Sequence, residues 1–438
     1  MNQGYNTQAV EWFRQASPYI NSHRGGVFVI AFGGEALESG NFSNLIHDIA
    51  LLSHLGIQLV LVPGIRAQID RRLRERGIEA QYAEGQRITD DASLPVVKEA
   101  AGSVRVEIES LLSMGLINTP MSGARLRVCS GNFVTARPFG IHQGVDYGHT
   151  GAIRKIDTTA IRNALGNQQL VMLSPLGYSS TGETFNLRTE DVAMQAAIEL
   201  QAEKLIYLLG EHGIRDGRKQ IIRQLNPADC DGLINGRRKL PEVTRTCLQN
   251  AARACRHGVP RTHLLGYNHD GALLTELFTR DGCGTMVNND NYESVRDAVA
   301  EDTAGIFELV APLQADGTLV SRSLEQLEVE YARFSVIERD GMIIACAALH
   351  TYAGNRGELA CLVVHPDYAN AGRAELLLNT VESRARAAGI EQLFVLTTRT
   401  AHWFREHGFV ASDINTLPIR KRELYNYQRK SKVFIKAL

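Results

Sequence analysis

The seven cysteines of this 438-residue chain (Cys129, Cys230, Cys247, Cys255, Cys283, Cys346 and Cys361) include no Cys-x-x-Cys pair. That absence removes the spacing signature of zinc ribbons and thioredoxin-type redox sites. An odd count scattered over so long a chain reads as buried free thiols in a reducing compartment. Neither sign of charge is in excess: 47 Lys and Arg stand against 48 Asp and Glu, so no global field favours nucleic acid or an anionic membrane surface. No stretch approaches the roughly 18 consecutive apolar residues of a membrane span. The first residues, MNQGYNTQAVEWFRQ, lack the charged start and apolar core of a secretory signal. Internal repeats and low-complexity tracts are missing too. These absences point to the cytoplasm, with no nucleic acid and no membrane among the partners.

What is present is ordinary globular composition, 44% hydrophobic and 22% charged, in a chain long enough for two domains. From Gly26 to about Val287 short apolar runs alternate with amphipathic stretches, the pattern of an open, mainly parallel α/β sheet flanked by helices. VFVIAF (27–32), QLVLV (58–62), KLIYLL (204–209) and THLLGY (262–267) are its strands. RLRVCSGNFVTARP (125–138) reads as a hairpin turning at Ser130-Gly131-Asn132. The pattern changes near residues 288–295, which divides the chain into domains 1–287 and 288–438. The second is a smaller α+β unit with a mixed sheet: two short helices, a hairpin turning at Asp340-Gly341, a strand over Leu359–Val364, and a helix that buries Leu376, Leu377, Val381 and Ala385.

The stretch CLVVHPDYANAGRAELLL (361–378) is a strand stopped near a proline, a loop of small residues and a helix start, which presents backbone N–H groups and a positive dipole end to an anion. With the order of elements around it, this stretch resembles the GCN5-related N-acetyltransferase (GNAT) family. The resemblance implies acetyl-CoA as co-substrate and no metal. Ala369, Asn370, Ala371, Gly372, Arg373 and Ala374 would receive its pyrophosphate, and the backbone of Leu362, Val363 and Val364 would pair with the pantetheine arm. Ala369 departs from the Gln or Arg usual there, and Arg373 is the residue placed to compensate. Glu358 is the expected proton acceptor for the attacking amine, and Thr397 the hydrogen-bond donor to the departing thiolate. Cys361 lies beside them on an apolar strand, where a thiol is usually inert.

The first 285 residues resemble the amino-acid kinase family through VIAFGGEAL, LVLVPGIRAQIDRRLRERG, SGNFVTARP, FNLRTEDVA and AEKLIYLLGEHGI. Ala31 and Phe32 stand where the kinases carry a lysine, and Pro63-Gly64-Ile65-Arg66 replaces their second glycine cluster, which implies loss of phosphoryl transfer. A kinase-like domain followed by a GNAT domain resembles the bacterial-type N-acetylglutamate synthase family. That resemblance implies transfer of acetyl to L-glutamate, with Arg322, His350, Cys361, Arg429 and Ser431 around the substrate. It also implies L-arginine as effector, with His263, Glu276, Arg280 and Gly284 as its site, and a homo-oligomer, in relatives a ring assembled through the N-terminal helix around Trp12, Phe13 and Tyr19, with a hexamer as the size expected here. Competing readings are a non-catalytic arginine sensor, an active acetylglutamate kinase with an accessory domain, and an acetyltransferase of protein lysines.

Overall fold

The computed structural model describes residues 7–114, 126–237, 239–289, 293–369, 372–423, 425 and 431–438. The chain divides into two compact units, Met1–Asp290 and Asn291–Leu438.

In the first unit eight strands form one sheet: β1 (Val27–Phe32), β2 (Gln58–Pro63), β3 (Val128–Ser130), β4 (Leu170–Met172), β5 (Lys204–Leu209), β6 (Gln224–Leu225), β7 (Arg261–Gly266) and β8 (Thr285–Asn288). Their order is β6-β8-β7-β5-β1-β2-β4-β3. Only β7 and β8 pair antiparallel; the remaining pairs are parallel and are reached by crossovers. The central strands are buried on both faces, which is why they read as unbroken apolar runs. Val29 and Ala31 of β1 enter one core, and Phe28, Ile30 and Phe32 enter the other. The expected hairpin at 125–138 does not form. Val128–Ser130 is an edge strand of the main sheet, whereas Val134–Pro138 joins a separate four-stranded sheet with Gly151–Ile156 and Leu176–Tyr178. The reversal at Gly131 moves the chain between two sheets, and each half finds a long-range partner that local alternation does not reveal.

The described residues of the second unit form seven strands: β9 (Glu293–Asp297), β10 (Phe334–Arg339), β11 (Met342–Tyr352), β12 (Arg356–Val364), β13 (Gln392–Thr397), β14 (Val410–Ser412) and β15 (Lys432–Ala437). They lie in the order β9-β10-β11-β12-β13-β15-β14, and β12–β13 is the one parallel pair among them. The β10–β11 turn has both central residues left-handed, Asp340 at φ 49° and Gly341 at 78°, the conformation that suits the twist of a two-residue hairpin. Helices Thr303–Ala315 and Leu324–Glu330 cover one sheet face through Ile306, Val310 and Leu327. Helix Arg373–Ala387 covers the other with Leu377, Leu378, Val381 and Ala385. Its phase differs from the sequence expectation: Leu378 is buried and Leu376 is 47% exposed. Glu382 also turns inward, where Lys436 Nζ meets it at 2.5 Å, so an ion pair rather than apolar periodicity fixes part of the inner face.

This phase has a direct test in denaturant unfolding. Leu377→Ala should cost about 2–5 kcal/mol as a buried truncation, and Leu376→Ala within about 0.5 kcal/mol; equal costs would contradict the observed helix orientation.

Candidate active site

Strands β12 and β13 begin side by side and then part. Their ladder covers only Arg356↔Gln392, Gly357↔Leu393 and Glu358↔Phe394, although β12 continues to Val364 and β13 to Thr397. Each is held from its outer side. β13 pairs with β15 along its full length, while β12 follows β11 with a register shift between Cys346 and Ala348, where Cys361 takes a left-handed φ of 49°. Such a bulge bends and twists its strand. A residue other than glycine held left-handed costs on the order of 1–3 kcal/mol, which the surrounding packing must offset. Between the diverging strands lies a cleft of about 180 Å³, lined by Glu358–Leu362 on one side and Val395–Thr400 on the other.

The cleft gathers six of the expected residues: Arg322, Glu358, Cys361, Leu362, Thr397 and Ser431. Glu358 is buried, and both its oxygens are engaged: Tyr352 Oη donates to Oε2 at 2.9 Å and Lys421 Nζ lies 2.6 Å from Oε1. Burial, with the charge of Glu358 beside it, raises the Tyr352 phenol well above its usual range, so it stays a donor. Arg322 Nη1 donates to Cys361 Sγ at 2.8 Å. Burial nevertheless outweighs that cation and pushes the Cys361 thiol up. Thr397 Oγ1 accepts the Thr400 N–H at 3.0 Å and lies 2.8 Å from Thr400 Oγ1. Two hydroxyls sharing one hydrogen bond leave one proton for the cleft. Val363 and Val364 pair with Cys346 and Ala345 farther along β12 and do not line the cleft. Lys421, Tyr425 and Tyr352 had escaped the sequence reading; no spacing signal ties the Ile419–Glu423 helix or β11 to Glu358.

His350 stands opposite Glu358 in the β11–β12 register. Arg333 Nη1 donates to its Nδ1 at 3.0 Å, which leaves Nε2 carrying the proton, without a partner among the described residues. Burial lowers its pKa to about 4, with Arg322, Arg333 and Lys421 acting in the same sense against Glu330.

At the expected anion loop, Asn370 and Ala371 lie outside the described residues, as does Arg429. Gly372 is left-handed at φ 73° and, as N-cap of helix Arg373–Ala387, makes no side-chain cap, so it gives the first-turn N–H groups no side-chain acceptor. Ala369 is exposed and Ala374 half-buried in that first turn. Arg373 is not offered to an anion. Its guanidinium pairs with Glu293 through Nε at 2.8 Å and through Nη2, and its Nη1 donates to the Tyr368 carbonyl at 2.8 Å. Arg339 also reaches Glu293; burial alone would raise this carboxyl, but the two guanidinium bonds hold it below its usual range.

Residues 330–411 match the acetyltransferase (GNAT) domain, and residues 26–266 match the amino acid kinase family. Over 430 residues, 98% of this chain and 99% of the relative, the chain is 53% identical to the amino-acid acetyltransferase of Azotobacter vinelandii. The chain belongs to the amino-acid acetyltransferase family. The amino-acid acetyltransferase of Pseudomonas fluorescens SBW25 is 52% identical over the same shares. Among solved structures, the N-acetylglutamate synthase of Neisseria gonorrhoeae complexed with coenzyme A and L-arginine superposes with a TM-score of 0.86 at 38% identity, covering 98% of this chain and 99% of that one. The same Neisseria enzyme complexed with coenzyme A and N-acetyl-glutamate gives a TM-score of 0.62.

In this acetyltransferase the kinase-like unit has its own constellation at β7. Among the expected effector residues, His263 and Glu276 are buried and bonded, Nδ1 to Oε1, at 2.7 Å. Glu276 Oε2 accepts the Cys283 and Gly284 N–H groups at 2.6 and 2.8 Å. Burial pushes the carboxyl up, but these bonds prevail and hold it down to about 2. His263 is pushed down by burial against the pull of Glu276. A neutral imidazole donating Nδ1–H to a carboxylate satisfies both directions, and His263 Nε2 is then a buried acceptor with no partner among the described residues. Glu276, expected to face a guanidinium, also orders the 282–284 turn. Arg280 lies between the two, just after helix Ala272–Phe278. At the end of β1 and β2 a second cleft of about 110 Å³ is lined by Gly33, Gly34, Gly64, Arg66, Asn186 and Glu190, with no lysine in its lining. A Cβ at Gly64 would sit 3.0 Å from Gly33 Cα and Gly34 N, which is why the two loops can meet only through glycine.

Because the His350 pKa is lower folded (about 4) than unfolded (about 6.5), the unfolded chain takes up the proton first as pH falls. The stability His350 contributes is therefore present above pH 6.5 and lost between 6.5 and 4. His350→Gln should lose less stability over that window than the parent, measured by denaturant midpoints; identical slopes would show that His350 titrates normally.

Proposed function

We propose that the chain transfers acetyl from acetyl-CoA to the amino group of L-glutamate, giving N-acetylglutamate and CoA, the first step of arginine biosynthesis. The observation that carries this reading is the opening between β12 and β13, which brings a buried carboxylate and two cations together, Glu358, Arg322 and Lys421. Coenzyme A in the Neisseria relative supports acetyl-CoA as the donor. In this reading the β12 backbone from Leu359 onward, having left β13, accepts the pantetheine arm as an added strand, and the amides of Gly372, Arg373 and Ala374 receive the pyrophosphate. Glu358 takes the amine proton, the amine attacks the thioester carbon, and the Thr397–Thr400 pair offers a hydrogen bond to the leaving thiolate. Arg322, Ser431 and Arg429 hold the carboxylates of glutamate. Arg373, engaged by Glu293, shapes the loop rather than touching phosphate.

Attack is direct rather than through an acyl-cysteine, because a thiol raised by burial is a poor nucleophile. The kinase-like unit is catalytically silent, with Ala31 buried where a lysine would be needed, and it binds L-arginine, as the Neisseria complex suggests. His263 and Glu276 shape that site through the turn they order, flanked by Arg280 and Gly284. The exposed Trp12 and Phe13 of helix Thr7–His23 are the surface through which copies would assemble, and the cytoplasm is the compartment that fits the reduced thiols.

The test is release of free CoA thiol from acetyl-CoA with glutamate, set against aspartate and glutamine, with and without arginine. Glutamate-dependent release that arginine alters is expected; acetyl-CoA binding without release would return the reading to a sensor. Glu358→Gln should lower kcat by roughly 10²–10⁴-fold, whereas Cys361→Ala should retain turnover. Glu276→Ala should weaken arginine binding by at least about tenfold in calorimetry; unchanged affinity would remove the 282–284 turn from the effector site.

A further inference from the structure

A general base has to be aimed as well as ionised. The last torsion of a glutamate joins a tetrahedral carbon to a planar one and is broad, so the stem of Glu358 does not by itself fix the plane of its carboxylate. Its two partners differ in what they can fix. Lys421 meets Oε1 at 2.6 Å on a flexible four-carbon stem and is itself part of the cleft lining. Tyr352 donates to Oε2 at 2.9 Å from a rigid ring and is not among the residues that line the cleft. One bond at each oxygen leaves about two of the roughly four lone-pair sites of a carboxylate open, so Glu358 can take a proton with both partners in place. The sheet sets where the Tyr352 hydroxyl stands. Tyr352 ends β11 opposite Arg356, and His350, two residues earlier, is opposite Glu358. Alternation therefore puts Tyr352 and Glu358 on one face as diagonal neighbours. Glu358 is the last residue of β12 to pair with β13, opposite Phe394. The Tyr352 ring packs on that same Phe394, 5.5 Å between centroids, in a small cluster with Leu417 and Val433. The ring is thus anchored where the two strands part, with its hydroxyl on the base.

We infer that Tyr352 is a positioning residue of the acetyl transfer: its hydroxyl, held by the packing of its ring on Phe394, fixes the carboxylate plane of Glu358 so that a free lone pair faces the acceptor amine. The inference rests on the reading above, in which Glu358 takes the amine proton. Tyr352 itself touches neither substrate nor thioester and acts only through Glu358. Its phenol, kept protonated by burial and by the carboxylate beside it, remains a donor into alkaline solution. A base that rocks out of line spends less time in the geometry of transfer, and that loss falls on kcat because the geometry belongs to the bound complex. Binding of either substrate does not require the hydroxyl.

The experiment is a double-mutant cycle in the full-length enzyme, with kcat and both KM values measured for the parent, Tyr352→Phe, Glu358→Gln and the double variant, and denaturant midpoints to establish that each is folded. Tyr352→Phe keeps the ring and its packing and removes only the hydroxyl. It should lower kcat by roughly tenfold, with KM for glutamate and for acetyl-CoA within about twofold of the parent. In the Glu358→Gln background, where no base remains to be aimed, the same change should alter kcat by less than about twofold. A residue that only supports the fold would lower kcat by the same factor in both backgrounds. That additive result, a kcat for Tyr352→Phe within about twofold of the parent, or a loss confined to KM, would overturn the inference while leaving the glutamate reading standing. Absence of glutamate-dependent thiol release in the parent enzyme would instead defeat that reading, and the inference with it.

Discussion

The parting of β12 from β13 after Glu358 is the constraint on which the second unit depends. A sheet normally pairs its interior strands along their length, because unpaired backbone groups away from water are costly. Here the outer ladders hold the two strands apart: β11 through a bulge at Cys361 and β15 through six consecutive residues. The opening is thus part of the fold, in keeping with sites that are largely pre-formed. The strained φ of Cys361, its contact with Arg322 and the burial of Glu358 are consequences of the same divergence.

Both units place charge inside and neutralise it locally, but to different ends. In the first unit the His263–Glu276 pair and two backbone amides form a closed set that orders a turn. In the second, Glu358 is bonded by a strand tyrosine and by a lysine from a short helix, at the lining of a cleft. Arg373 shows the cost of reading a loop by composition: its position at a helix start suits a phosphate, yet Glu293, some 80 residues earlier in the chain, claims its guanidinium.

Much of the architecture was legible because burial on both sheet faces writes continuous apolar runs, as at KLIYLL, and because Asp340-Gly341 satisfies a turn that demands two left-handed residues. The segment 125–138 was not, since its two strands find their partners in different sheets. Helix Arg373–Ala387 was placed correctly but rotated, because an ion pair to Lys436 admits Glu382 to the interior. Of the candidate site, Glu358, Arg322, Thr397 and Ser431 came from motif resemblance, and the structure brings them to one cleft. Lys421 comes from a segment without regular spacing to any of them, and only the tertiary fold shows it.

The central claim, that the opening between β12 and β13 receives acetyl-CoA, is tested most directly by amide hydrogen exchange with and without acetyl-CoA. Slowed exchange concentrated at residues 359–363, 372–375 and 395–397 is the result expected from an added strand and an anion at the helix start. Tight binding that leaves those amides unchanged would place the coenzyme elsewhere and contradict the account.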